Sequence, residues 1–344
     1  MIADCQQAYF LLNARACSGA LRDNTTWCTM FLLFGGNGFL GMHVARAAVQ
    51  QGVDVGVIGR RVEPSPRLPE GVAYAQTGTA AASDLLAQSN TILYLAHASR
   101  PARHGDGLSY ELNTNVASLN AFLGELTTQG FTGQLFYASS GGQVYGRHPS
   151  VPAQETDPAL PQTAYGMGKL MCEQVVRYHA RVSGTNAAIL RIANPVGTGQ
   201  IGTGHGLVGA VFRALRDDVP LSLFGTGTNV RDYFSADAFG EFITDLHLRS
   251  WRGDGTFNIG SGVGHTELDV FELVRDVVGR GPEIIFKDAR AFDLPYAVVD
   301  PSKAKGQLGW DPKQDLRQII ETMAAESLRH EGKANTLAEA AATA

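Results

Sequence analysis

Tyr165 and Lys169 stand four residues apart in Tyr165-Gly166-Met167-Gly168-Lys169, a spacing that puts both on one face of a helix. An ammonium so placed depresses a phenol's pKa toward neutrality. The resulting phenolate can take a proton from a sugar hydroxyl while hydride leaves for a nicotinamide. By itself the pattern is weak, since many surface helices carry it by chance. Here it follows two other motifs in order, the turn Gly35-Gly36-Asn37-Gly38-Phe39-Leu40-Gly41 and the segment Ser139-Ser140-Gly141-Gly142-Gln143-Val144-Tyr145-Gly146.

The turn spaces Gly35, Gly38 and Gly41 as G-x-x-G-x-x-G, between a strand-like run at 31–34 and an amphipathic helix expected over 39–51. Glycines there allow a tight turn and let a pyrophosphate approach the backbone at the positive end of the helix. The next expected strand, 53–58, runs into Gly59-Arg60-Arg61. NAD sites usually place a carboxylate at that point for the ribose 2′-hydroxyl. Two guanidiniums and no carboxylate suit a 2′-phosphate, so Arg60 and Arg61 point to NADP over NAD.

The elements that position these groups alternate between strand and helix, which predicts a doubly wound parallel sheet of the Rossmann type, an α/β fold. Further strands are expected at 91–96, 134–139 and 187–192, with helices over 113–126 and 164–183. From Asn194 onward the chain turns rich in Gly, Pro and Thr, with helices expected over 207–216, 267–279 and 316–329 and a strand at 221–224. This divides it into an extension (1–29), a dinucleotide domain (30–193, with 226–254 returning to it), a smaller C-terminal substrate lobe (194–225 and 255–330) and a flexible tail (331–344). The extension is alternatively an upstream start, with Met30 the working one.

Composition limits the partners. The 344 residues carry a net charge of −5 and no apolar run of membrane-spanning length, so neither nucleic acid nor a membrane is expected. Cys5, Cys17, Cys28 and Cys172 show no metal-ligand or disulfide spacing, so no metal is expected and the thiols suit the reducing cytoplasm.

Together the three motifs resemble the extended short-chain dehydrogenase/reductase family, in its nucleotide-sugar epimerase/dehydratase branch. The resemblance continues through Arg191-Ile192-Ala193-Asn194-Pro195-Val196-Gly197, Asn229-Val230-Arg231-Asp232-Tyr233, Arg290-x-x-Asp293 and Asp300-Pro301-Ser302-Lys303-Ala304, and covers about residues 30–325. It implies that Tyr165 is the acid/base and that Lys169 holds the cofactor ribose and the phenolate. Counting back from Tyr145, the family's usual catalytic hydroxyl position is Gly141. Some members keep the hydroxyl one position earlier, which assigns it to Ser140, with Ser139 as the fallback and a cofactor neighbour. Leu95, Ala96, His97 and Asn115 would line the nicotinamide side. Asn194 and Arg231 would contact a diphosphate, Arg290 and Asp293 phosphate and ribose, and Phe224 the base. Ala297 would leave room beside the sugar's C2 group. A homodimer through a four-helix interface is the family's common assembly.

The same comparison narrows the reaction. Dehydrating relatives carry Asp-Glu where this chain has Gly142-Gln143, and neither of these can shuttle a proton. The expectation is epimerisation at C4 of a nucleoside-diphosphate hexose, a UDP-sugar by preference. The alternative is an NADPH-dependent reductase of a 4-keto sugar. A silent dinucleotide-binding regulator is a third reading, opposed by the intact Tyr165/Lys169 pair.

Overall fold

Seven parallel strands form the main layer: β1 (Met30–Phe34), β2 (Val55–Gly59), β3 (Ala73–Gln76), β4 (Ser89–Tyr94), β5 (Gln134–Ser140), β6 (Asn186–Ile192) and β10 (Gly255–Ile259). The structure is a computed structural model that describes residues 29–99, 107–147, 151–201 and 206–327. The tail, and all of the extension except residue 29, lie outside these. The strand order β10-β6-β5-β4-β1-β2-β3 reverses direction at β1. Ligand crevices open there, beyond the carboxyl ends of the strands.

Both faces of the sheet are covered, which is why β1 and β5 read as nearly unbroken apolar runs. On one face helix α1 (Phe39–Gln50) and helix α6 (Ala236–Leu248) pack Val44, Ala48, Phe239 and Ile243 on Leu33, Phe136 and Leu190. The other face is covered by α2 (Ala80–Ala87), by the helical run α3 (107–128) and by α4 (Ala164–Ser183), which bury Leu86, Leu123, Cys172 and Val176 on Ile92 and Tyr137. Helix α4 starts where the Thr163 hydroxyl accepts from the Gly166 amide, and stops at Gly184, whose φ of 73° is the left-handed cap.

The second lobe holds β7 (Asn194–Val196), β9 (Val230–Ser235), β11 (Gly264–Thr266) and β13 (Tyr296–Ala297) in a small mixed sheet, with β8 (Leu221–Phe224) and β12 (Ile284–Lys287) paired separately. Helices α5 (Leu207–Asp217), α7 (Glu267–Val278) and α9 (316–327) close its core around Phe212, Val270 and Ile320; α8 (Ser302–Leu308) lies against the main core through Ala304 and Leu308.

The division of the chain differs in detail from the sequence reading. Within 226–254, α6 lies on the main sheet while β9 belongs to the lobe. Strand β10, expected in the lobe, edges the main sheet, where Phe257 and Ile259 are buried beside Leu190 and Ile192.

Candidate active site

The glycine turn joins β1 to α1 at the point where the strand order reverses. Gly35 has a φ of 83°, and a Cβ there would lie 2.6 Å from the Ala96 amide, so the turn presses directly on Leu95-Ala96 at the end of β4. Gly41 holds the helix against the turn, since its Cβ would meet the Gly36 carbonyl at 2.3 Å. Around Gly38 the space is open. Helix α1 has Gly38 as its N-cap, no side chain capping it and no acidic residue in its first turn. Its free amides therefore fit a dinucleotide pyrophosphate approaching past Gly38, Phe39 and Leu40.

Asn37, placed among the cofactor-binding residues by its position in the glycine turn, uses its side chain to lash the loop after β2. Its Nδ2 donates to the Tyr74 hydroxyl at 3.0 Å and its Oδ1 accepts from the Ser65 amide. Tyr74 in turn donates to the Arg61 carbonyl at 2.7 Å. The loop after β2 is thus held by its backbone, and the Arg60 and Arg61 side chains project into solvent. A Cβ on Gly59 would meet the Tyr74 hydroxyl at 2.7 Å, so a side chain at the end of β2 would have to displace the Tyr74–Asn37 contact.

The candidate catalytic group assembles at the carboxyl end of β5. The Ser140 hydroxyl sits beside the Tyr165 phenol, where it favours the ionised form, and Lys169 Nζ donates to the Ala138 carbonyl at 2.7 Å, 6.0 Å from the Tyr165 ring centre. Gly141 cannot carry the hydroxyl: a Cβ there would lie 2.7 Å from Val299 Cγ1 and 2.9 Å from the Arg191 carbonyl. The departure seen in the sequence is therefore steric, and Ser140 is the hydroxyl that the turn brings to Tyr165.

The charge states differ from the simple expectation. Burial pushes the Tyr165 phenol up to about 12, with the Ser140 hydrogen bond pulling the other way and the Glu111 carboxylate adding to the rise. Burial also brings Lys169 down to about 8. In the chain alone desolvation outweighs the ammonium, whose hydrogen bond is directed at the sheet.

Ser139 has another task. It continues the alternation of Leu135 and Tyr137 toward α4, and its hydroxyl donates to Glu173 Oε1 at 2.6 Å. Glu173 also accepts from Arg191 Nε and Nη2 at 3.0 and 2.9 Å and from Arg177 Nη2 at 2.9 Å. The sequence reading missed Glu173, though Tyr165, Lys169 and Glu173 recur at every fourth position and so share a face.

His97 packs edge-on against the Tyr165 ring, with centroids 5.1 Å apart. Asn115 orders the segment after β4: its Oδ1 accepts from the Ala98 amide at 2.7 Å, and its Nδ2 donates to Glu111 Oε2 at 2.7 Å and to Ser99 at 3.3 Å. Glu111 is a second buried carboxylate that sequence reasoning missed.

In the lobe, Arg290 forms a two-point pair with Asp293, both contacts at 2.8 Å, and lies over the Phe224 ring at 4.0 Å. Arg231 Nη1 donates to the Val230 and Leu294 carbonyls at 2.8 and 2.6 Å, so it is held against the residue that follows Asp293. Asn194 Nδ2 donates to the Asp232 carbonyl at 2.8 Å. Ala297, paired with Arg231 across β13 and β9, lines a narrow crevice with Gly141, Gly142 and Tyr145. That crevice runs between the catalytic turn and the lobe.

Known proteins share this design. The model of the NAD dependent epimerase/dehydratase family matches residues 31–260. A UDP-glucose 4-epimerase of Azospirillum brasilense is 30% identical over 320 residues, covering 86% of this chain and 90% of that protein. A dTDP-4-dehydro-6-deoxyglucose reductase of Escherichia coli is 28% identical over 235 residues, 68% of this chain and 73% of that protein. Among solved structures, UDP-glucose 4-epimerase from Thermotoga maritima with UDP-glucose superposes with a TM-score of 0.78 at 25% identity, over 88% of this chain and 99% of that one. A glycine crevice at the strand reversal, a Ser–Tyr–Lys group beside it and a matched sequence model across two thirds of the chain agree: this chain belongs to the NAD dependent epimerase/dehydratase family.

Proposed function

We propose that the chain epimerises a nucleoside-diphosphate hexose, a UDP-sugar by preference, at C4. The observation that carries this is the Ser140–Tyr165–Lys169 group, set at the mouth of the glycine crevice and facing the lobe across the Gly141–Ala297 crevice. A nicotinamide bound at the glycine crevice would supply a reversible hydride acceptor for C4. Tyr165 Oη takes the C4 hydroxyl proton as hydride leaves and gives it back as hydride returns. Ser140 orients that hydroxyl, and Lys169 stabilises the phenolate. Arg231, Arg290, Asp293, Asn194 and Phe224 hold the diphosphate and nucleoside, so that the sugar turns while its handle stays fixed.

Ser140→Ala is expected to lower kcat about 10²-fold with little change in KM, because the lost hydrogen bond matters most when charge develops on the C4 oxygen. Steady-state conversion followed by sugar NMR checks this. An unchanged kcat would return the role to another group.

A second reading, an NADPH-dependent 4-keto-sugar reductase, is favoured by Gly59-Arg60-Arg61. The exposed guanidiniums and the absence of a carboxylate at Gly59 support NADP as cofactor. The deciding measurement identifies the dinucleotide released from the purified protein and its exchange with added NADPH and NADH. Tightly retained NAD marks an internal redox cycle and hence the epimerase. A site that takes and releases NADPH marks the reductase. In that case Arg60→Ala with Arg61→Ala weakens NADP binding by about 10–100-fold, from the loss of charge-assisted hydrogen bonds, and leaves NAD affinity unchanged.

The chain would act as a homodimer through α3 and α4, whose Leu108, Leu112, Tyr178 and Val182 side chains are exposed. No helix among the described residues is long and apolar enough to cross a membrane.

A further inference from the structure

Gly59, Arg60 and Arg61 end β2 and open the loop after it, and side chains on or just after β3 occupy all three of their backbone carbonyls. The Tyr74 hydroxyl donates to the Arg61 carbonyl at 2.7 Å and Gln76 Nε2 to the Arg60 carbonyl at 3.2 Å. The Thr77 hydroxyl donates to the Gly59 carbonyl at 3.1 Å. Tyr74 and Gln76 alternate along β3 and so reach the loop from one face. Parallel pairing sets Val57 beside Tyr74 and Gly59 beside Gln76, which brings both side chains to the end of β2.

Asn37 closes the arrangement from the glycine turn. Its Nδ2 donates to the Tyr74 hydroxyl at 3.0 Å and its Oδ1 accepts from the Ser65 amide at 3.1 Å. The Tyr74 hydroxyl is thus the junction of the glycine turn, strand β3 and the arginine loop, while its ring packs on the main core. Gly59 fits the same arrangement. Its φ lies outside the left-handed region, so the backbone does not call for glycine there. What a side chain would meet is the junction itself: a Cβ would stand 2.7 Å from Tyr74 Oη and 2.8 Å from Asn37 Nδ2. Further along, the loop is tied once more, by Arg67 Nη1 donating to the Gly199 carbonyl at 3.0 Å. On this fixed backbone the Arg60 and Arg61 side chains are exposed.

We propose that Tyr74, joined to Asn37, is a positioning residue that sets cofactor specificity: it fixes the backbone of Gly59–Arg61 so that the two arginines stand ready for the 2′-phosphate of a dinucleotide. The proposal rests on the reading of Arg60 and Arg61 as a 2′-phosphate site. Two long side chains lose rotamer freedom when they close on a phosphate. A loose backbone would add its own ordering cost, and the bonds from β3 remove that cost beforehand. NAD carries a hydroxyl where NADP carries the phosphate, so it gains little from the arginines and depends little on the tether. Tyr74 therefore acts on the choice between the two dinucleotides through the loop.

Calorimetric titration of the full chain with NADP and with NAD, in the absence of sugar, tests this. The parent is expected to bind NADP more tightly. Tyr74→Phe keeps the ring and deletes the junction. It is expected to weaken NADP about tenfold, from two lost hydrogen bonds and a loosened loop, with NAD affinity held within about twofold. In the Arg60→Ala, Arg61→Ala background the same substitution should cost nothing further, since it acts through those side chains. If Tyr74→Phe does not fold, Gly59→Ala presses on the junction from the other side and is read the same way. A parent that binds NAD as tightly as NADP overturns the 2′-phosphate reading and the proposal with it. A parent that prefers NADP, and keeps its affinity in Tyr74→Phe, overturns the positioning role alone. Equal loss of both dinucleotides, or a further loss once the arginines are gone, marks the hydroxyl as structural support and also overturns that role.

Discussion

Tyr165→Phe is expected to reduce turnover by roughly 10²–10⁴-fold, the usual contribution of a positioned acid/base, while dinucleotide affinity stays close to that of the parent. The two effects separate because different residues carry them. The substitution deletes one oxygen from a ring that is otherwise held by His97 on its edge. The crevice for the pyrophosphate is built by Gly35, Gly38, Gly41 and the uncapped start of α1. Lys169 keeps its bond to the Ala138 carbonyl, so the ribose side of the site is undisturbed. Sugar conversion by NMR and dinucleotide titration by fluorescence give the two quantities. Turnover retained within about tenfold would take the proton transfer away from Tyr165.

What could be read from the sequence was whatever lies within one element. Helix α4 carries its candidate catalytic pair within its 20 residues, and Thr163 and Gly184, directly outside them, announce its ends. Strands β1 and β5 are legible because burial on both faces selects continuous apolar runs. Strand β3 and helix α2 were not expected: Ala73–Gln76 is short, and the three alanines opening Ala80–Ala87 carry no period. Strand β10 reads as a loop because Gly255, Thr256 and Asn258 are polar or small, yet Asn258 is fully buried, bonded to the Tyr145 hydroxyl and the Ala153 carbonyl. Only the fold supplies those partners.

The site follows the same division. Tyr165 and Lys169 are fixed by spacing on one helix. The absent hydroxyl at Gly141 shows in the sequence only as a departure; its cause, Val299, is distant in the chain. Asn37 and Ser139 were assigned by proximity to a motif, and their polar atoms serve the scaffold. Glu111 escaped notice because its burial depends on Gly168, more than fifty residues away, where a Cβ would meet the carboxylate, and on a π-helical turn, Glu111–Val116, that no periodicity announces. The phenol's environment shows the same limit. Spacing gives the ammonium's position, but not the desolvation that opposes it.

Removing the carboxylate of Glu173 should have the largest effect on stability. Glu173 ties α4 to three strands at once: to β5 through Ser139, to β6 through Arg191, and to β10 through Arg177, whose Nη2 also donates to the Thr256 hydroxyl at 2.9 Å. Arg191 is 4% exposed, with its guanidinium 4.7 Å from the Tyr145 ring centre. In Glu173→Leu that cation stays buried without its counter-charge, which costs about 3–5 kcal/mol. Urea unfolding should show the loss as a lower midpoint. The double variant Glu173→Leu with Arg191→Met removes both charges, and most of the stability should return, since apolar replacement of a whole buried pair is often neutral or better. A single variant costing under about 1 kcal/mol would put the pair in the class of solvated surface bridges, contrary to its burial. Activity separates the pair's two roles. If the stable double variant still turns over slowly, the ionic tie aligns Lys169 and Tyr165, one and two turns back along the same helix face, rather than merely holding the helix down.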